Sequence, residues 1–453
     1  MEAVAQGVED YLIDGLSFKL NPGASYITNR RSVTFFPTGG NDYSPTGVKV
    51  IRIVLTGNDW VDPATFRMSF TLNNKDAGAG HILRPLGGPW QFFRRVRLLI
   101  GGAVVEDIDF YNRCHEMFHC CTNGTTRDND LAESFGQRVD SSTYYSSITG
   151  NTTATAANYL GLPPSTSRTV YFKPLLGIFN QSKYLPIRYA PITLEFELVN
   201  SLLDPIIDPA TDPRGGAAVW TAANCSTSWT INNVQAKMDV VTLDNVLDNE
   251  YAQHVLQGKT LPINYSTYIS QLQSVLSSDI AVNITRALTR LKSVFITFDG
   301  PHTGSSTDWI PLLKTTNNFI HPMNSSAIYD SSKEMEFQIQ IGSKLFPEYP
   351  VKSLGEAYYQ LRKTLGIASS NWHSMNIAEA HYRNFRFIVG IDTEKVLAAG
   401  FTGLNSKAGD LMTLKFKALS GGTVATDLPQ LMYVHLHADC ILNIRDTGVE
   451  VFD

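Results

Sequence analysis

His115, Glu116 and His119 form a complete HExxH pattern, two histidines four positions apart with a glutamate beside the first. On a helix this spacing sets both imidazoles on one face, where they bind zinc while the glutamate activates water. Cys114, Cys120 and Cys121 flank the motif and add thiolates that a structural zinc could use. A zinc hydrolase also needs a third ligand downstream. The nearest acids are Asp128, Asp130 and Glu133, and no second histidine-rich helix follows. The same segment reads as a packed amphipathic helix, with Phe110, Cys114, Met117, Phe118 and Cys121 on one apolar face and both histidines beside it. The packed helix is the stronger reading, so no catalytic residue, cofactor or metal is assigned.

Other chemistries find no foothold. No glycine loop ends in Gly-Lys-Ser or Gly-Lys-Thr, and neither a GxGxxG nor a GxSxG pattern is present. Glu106 and Asp107 are strand neighbours whose side chains point to opposite faces. A net charge of -5, with no basic block longer than Arg30-Arg31 or Arg94-Arg95, argues against genome coating or sequence-specific nucleic-acid binding. The five cysteines are odd in number and lack a CxxC pair, which predicts thiols rather than a disulfide framework. The first 20 residues carry acids where a secretory signal needs a basic start, and no apolar run reaches the roughly 18 residues that a membrane helix requires. Sequons at Asn123, Asn151, Asn180, Asn224, Asn264, Asn283 and Asn324 are expected chance matches in an Asn/Ser/Thr-rich chain.

The elements that would hold such residues are mostly strands. Alternating or β-branched apolar runs occupy 48–55, 66–72, 96–100, 169–172 and 192–198, then 291–298, 335–341, 385–389, 411–419 and 431–444. Polar stretches at 122–167, 204–228 and 299–332 predict long surface loops. Residues 243–256 have helical spacing and are followed by Gly258 and Pro262, which places a connector helix and a boundary near residue 250. With 453 residues and only 17% charged side chains, the chain suits two domains of roughly 200 residues each, or three smaller ones, whose surfaces pack against neighbours.

The two halves repeat one another. Val96 to Gly102 and Phe337 to Ser343 each end a strand in Ile-Gly-small, so Ile100, Gly101 and Gly102 answer to Ile341, Gly342 and Ser343. Glycine supplies the positive φ of a two-residue hairpin turn, and a helix follows each turn, at Phe110 to Cys121 and at Ser353 to Leu365. In a second pair, Thr193, Leu194 and Phe196 match Thr413, Leu414 and Phe416 in register. The order of features is kept, as duplication requires.

The stretch Phe92 to Tyr111, with its Ile-Gly-Gly turn, resembles the first roll of double jelly-roll major capsid proteins of double-stranded DNA viruses. That family serves nucleocytoplasmic large DNA viruses, virophages and polinton-like or adinto-like viruses. Arg286 to Phe298 and Phe337 to Leu365 resemble the second roll, and Phe401 to Leu414 is similar to a late loop and strand of the smaller members. The resemblance implies an all-β fold of two consecutive eight-stranded antiparallel jelly rolls with a few short helices: an N-terminal arm at 1–15, roll 1 at 16–245, a connector helix at 246–260 and roll 2 at 261–453. It also implies a homotrimeric, pseudo-hexameric capsomer in an icosahedral virion, meeting neighbouring capsomers and the penton and minor capsid proteins of the same virus, assembled inside the host cell, without direct membrane insertion. The alternatives are an HExxH zinc hydrolase and a loop-bearing β protein that binds glycans or a receptor.

Overall fold

Strand formation follows from alternation. Along Ile192–Leu198, Ile192, Leu194, Phe196 and Leu198 are buried while Thr193, Glu195 and Glu197 face outward. The outward glutamates meet Lys49, Arg52 and Arg97 at 3.1 to 3.7 Å, so one strand carries half of a core and half of a charged ladder.

The computed structural model describes residues 26–136, 161–208, 224–300, 319–322, 334–367, 375, 377–394, 403–407, 411–419 and 429–453. The expected arm at 1–15, much of the three long loops, and Asn151 and Asn324 lie outside them. The first half contains β1 (Ile27–Phe35), β2 (Asp42–Tyr43), β3 (Val50–Leu55), β4 (Trp60–Asn74), β5 (Phe93–Ile100), β6 (Ala103–Ile108), α1 (Tyr111–Cys121), α2 (Gly124–Glu133), β7 (Ser167–Phe172), β8 (Leu185–Pro186), β9 (Ile192–Leu198) and β10 (Trp229–Leu243). After α3 (Asn245–Leu256) come β11 (Leu261–Ser274), β12 (Ile280–Ile284), β13 (Leu291–Asp299), β14 (Glu336–Ile341), β15 (Lys344–Val351), α4 (Leu354–Thr364), α5 (Glu379–Asn384), β16 (Val389–Asp392), β17 (Met412–Lys417), β18 (Leu431–Arg445) and β19 (Gly448–Phe452).

Two sheets form each half. The first half orders its strands β1-β10-β4-β7 and β3-β9-β5-β6, and the second orders them β11-β18-β13-β16 and β12-β17-β14-β15. Setting aside the short β2 and β8 and the appended β19, and ranking the remaining eight strands of each half by position in the chain, both give 1-8-3-6 facing 2-7-4-5. The repeat seen in the sequence is therefore a repeat of topology. Its register agrees as well: Ile192 pairs with Ile100 and Thr193 with Leu99, while Met412 pairs with Ile341 and Thr413 with Gln340.

Each half builds a core between its sheets. Phe66 stacks on Phe179 at 4.1 Å in the first, and Phe298 meets Phe416 edge-on at 5.5 Å in the second. The cores are not fully separate. Ile263, Tyr265, Cys440, Leu442 and Ile444 lie beyond α3 in sequence yet pack into the first core, while Met117 and Cys120 of α1 pack into the second.

Several expectations need correction. The stretch 122–167 is not all loop, because Asn123 accepts a hydrogen bond from the Thr126 amide at 2.8 Å and caps α2. The strand expected at 385–389 begins only at Val389, since α5 runs to Asn384 and Phe385 closes its last turn through the His381 carbonyl. Strand β11 went unread because Pro262 resembles a helix stop. As an edge strand, β11 tolerates proline.

The buried helix at the junction of the two halves

Sequence alone makes α1 amphipathic, but the structure buries it on nearly all sides. Tyr111, Asn112, Arg113, Cys114, Glu116, Met117 and Cys120 are all inaccessible. The apolar face expected from Cys114, Met117 and Phe118 is divided: Cys114 enters the first core, Met117 the second, and Phe118 contacts both. Helix α1 is thus the piece of the first half that the second half encloses.

The HExxH side chains are engaged in this packing. The His115 ring stacks on Trp90 at 4.1 Å with an interplanar angle of 19°, and His119 leans on the same indole at 4.6 Å. Trp90 therefore packs against both imidazole rings. Glu116 accepts a hydrogen bond from Trp90 Nε1 at 2.8 Å, and its other oxygen lies 3.8 Å from Arg386 Nη2. Its carboxylate is held by the indole and a guanidinium, which leaves it poorly placed to activate water. Among the described residues, no three His, Cys, Asp or Glu side chains are grouped to hold a metal ion. All five cysteines remain thiols with no disulfide among them, and burial raises the pKa of Cys114 and Cys121.

Residues to which the sequence reading gave no role hold the halves together. Arg113 donates from Nε to Thr297 Oγ1 at 3.0 Å and from Nη2 to the Phe298 carbonyl at 2.9 Å. Its guanidinium lies 4.1 Å from the Tyr433 ring centroid and 4.8 Å from that of Phe319. Burial lowers its pKa to about 10, with Asp299 opposing the shift, so it stays charged at neutral pH. The available signal was a lone arginine among apolar helix positions. Glu106 on β6 is the second such residue. It accepts from the Gly177 and Ile178 amides at 3.0 and 2.9 Å and from Thr267 Oγ1 of β11 at 3.0 Å. Beside it, the Tyr265 hydroxyl donates to the Val105 carbonyl at 2.9 Å. Asp107, on the opposite face, pairs with Arg95 at 2.6 Å, as the strand alternation predicts.

The signature turns sit at the ends of matching hairpins. Gly101 and Gly102 both have positive φ, the signs of a type I′ turn. At Gly342-Ser343 only the glycine is positive, the signs of type II′. Both turns join strands four and five of their half, and the first rests on Val449 of β19. These turns shape the hairpins β5-β6 and β14-β15.

No family model matches the sequence, and no curated protein matches it. Solved structures do. A chain of the PBCV-1 virus capsid matches with a TM-score of 0.57 at 13% identity, covering 96% of this chain and 99% of that one. A chain from the Sputnik virophage structure matches with a TM-score of 0.56 at 11% identity, covering 98% and 92%. The Faustovirus major capsid protein matches with a TM-score of 0.52 at 9% identity, covering 96% and 93%. The likeness runs through both halves and agrees with the duplicated strand order. The fold is the double jelly roll. In this double jelly roll, α1 is the bolt of one roll seated in the other.

The junction also sets a pH response. Burial lowers the pKa of His115, His321 and His435 to about 3 and that of His437 to about 4, from an ordinary 6.5. A depressed folded value means the unfolded chain binds the extra proton, so stability is full above pH 6.5 and falls as pH drops toward 4. Each histidine contributes about 1.4 kcal/mol per pH unit over that window. Glu106 acts in the opposite sense: burial raises it to about 7, so its contribution is full below pH 4.5 and is lost as pH rises through 7. Asp130 and Asp392, also raised by burial, act in the same sense as Glu106, and the four histidines outweigh these three carboxyls. The melting temperature should fall steadily between pH 6.5 and 4.5 in a fluorescence melting series, and a flat or rising profile would contradict this account.

Proposed function

We propose that the chain is the major capsid protein of a double-stranded DNA virus, a structural subunit rather than an enzyme. The observation that carries this reading is the duplicated eight-strand topology, matched over 96% of this chain by a chain of the PBCV-1 virus capsid. A fold doubled in this way gives one polypeptide two similar modules, so three copies present six near-equivalent sides and can tile a hexagonal lattice. In this reading the protein forms a homotrimer, meets neighbouring capsomers and the penton and minor proteins of its virion, and resides in an icosahedral shell. The division proposed is an arm at 1–15, roll 1 at 16–245, a connector at 246–260 and roll 2 at 261–453. The histidines and glutamate of the HExxH pattern serve the junction, and Gly101, Gly102, Gly342 and Ser343 serve the hairpins.

Sedimentation velocity tests the reading. At micromolar concentration the purified protein should run with the mass of three 50.1 kDa chains. A single-chain species across that range would sink the proposal.

A further inference from the structure

Helix α3 leaves an opening at one end of the first roll. Between α3, the start of β1 and the start of β11 lies a cleft of about 660 Å³ whose walls include Tyr26, Trp60, Tyr184, Leu247, Tyr251 and Leu261. Tyr26 is 59% exposed, and Tyr184, Leu247, Tyr251 and Leu261 are half-buried. Aromatic and aliphatic surface from several elements thus converges on one concave site, the kind of patch that a covering segment removes from water.

The chain itself supplies a matching segment. Tyr26 is the first described residue, so residues 16–25 end at the wall of the cleft. They lie outside the described residues, and two features of their sequence point to the cleft. Leu16, Phe18 and Leu20 alternate with Ser17 and Lys19, the pattern of an extended segment with one apolar face. Asn21-Pro22-Gly23-Ala24 then carries proline and glycine at the two central positions of a type II turn, which reverses the chain just before Tyr26 and returns the apolar face toward the wall. Charge agrees. Lys183 on the rim donates to the Pro262 carbonyl at 2.7 Å, while Glu250 lines the cleft and forms no ion pair among the described residues, so Lys19 complements the rim.

We propose that residues 16–20 of the same chain fold back across the cleft, with Leu16, Phe18 and Leu20 buried against Trp60, Leu247, Tyr251 and Leu261, and Lys19 paired with Glu250. The segment straps the connector helix to both rolls, since β1 belongs to one and β11 to the other. Cleft and segment lie in one chain, so the contact is independent of the trimer proposed above.

Phe18→Cys with Leu247→Cys tests the contact in the full chain. Four native thiols are buried and Cys121 is half-buried, and each single variant gives their background. After mild oxidation the double variant should lose two free thiols and migrate as one chain, faster than its reduced form on a denaturing gel. Ser17→Cys with Leu247→Cys, on the opposite face, should stay reduced. Hydrogen exchange gives a second reading without new cysteines. Phe18→Asp with Leu20→Asp should speed amide exchange in α3 by roughly tenfold or more, the size expected when a buried Phe or Leu is exposed, and leave β18 unchanged. A double-cysteine variant that keeps both thiols, or unchanged exchange in α3, would overturn the strap. Equal linking through Ser17 would show a tether without a seat and count against it. Oxidation to a two-chain product would overturn it too, by assigning the cleft to the segment of a second copy.

Discussion

Replacing Gly177 by alanine should cost at least about 3 kcal/mol of stability, a loss at the large end for one added methyl group. Gly177 opens the short 3₁₀ turn Gly177–Phe179, and a Cβ there would fall 1.5 Å from the Ser266 carbonyl oxygen and 2.6 Å from its carbon. These are backbone atoms of β11, which is paired along its length with β18, so no side chain can swing away to make room. The strand would have to withdraw from the first roll. Withdrawal breaks the Tyr265 bond to Val105 and the Thr267 bond to Glu106, and it strains the amide of Gly177 itself, which donates to Glu106. Gly355→Ala is the matched control. Its Cβ would meet nothing within 4 Å in the first turn of α4, so alanine there should be neutral or stabilising by up to about 1 kcal/mol. Urea unfolding of the two variants side by side checks the contrast, and equal midpoints would show that the rolls do not meet at Gly177.

Arg113→Ala should be nearly as damaging, at about 3 to 4 kcal/mol. The change empties the space between Tyr433 and Phe319 and leaves Thr297 Oγ1 without its guanidinium donor. Arg113→Met separates the two contributions. Methionine refills most of the volume without charge, so the loss should shrink to about 1 to 2 kcal/mol. If Ala and Met cost the same, the ion and its hydrogen bonds dominate over packing. If neither changes the unfolding midpoint, α1 is not the bolt between the rolls.

Much of this architecture was legible before any coordinates because strands announce themselves by alternation. The hairpins at Gly101 and Gly342 and the matching Thr-Leu-x-Phe strands were readable for that reason, and the structure places both pairs on equivalent strands in equivalent register. Strand β13 was readable from the apolar burst Val294 to Ile296, and both its faces are covered, one by its own core and the other by Phe118 of α1 at 4.9 Å from Phe295. Less regular strands hid behind their neighbours' chemistry. In β10 a bulge at Asn232 to Gln235, with Asn233 at positive φ, interrupts the period.

The junction was harder to read, for a physical reason. Burial of Arg113, Glu116 and Glu106 depends on partners more than 60 residues away in sequence, such as Thr297, Arg386 and Gly177. Local periodicity assigns a polar residue to the surface, and only tertiary pairing makes its burial affordable. The HExxH pattern illustrates the consequence. Its spacing is that of a metal site, but Trp90, a residue outside the motif, packs against both imidazole rings and donates to Glu116.

Negative-stain electron microscopy of the purified protein tests the central claim most directly. Class averages should show threefold particles with a near-hexagonal outline, six lobes arising from three chains of two rolls each. Single two-lobed particles with no threefold class at micromolar concentration would contradict it.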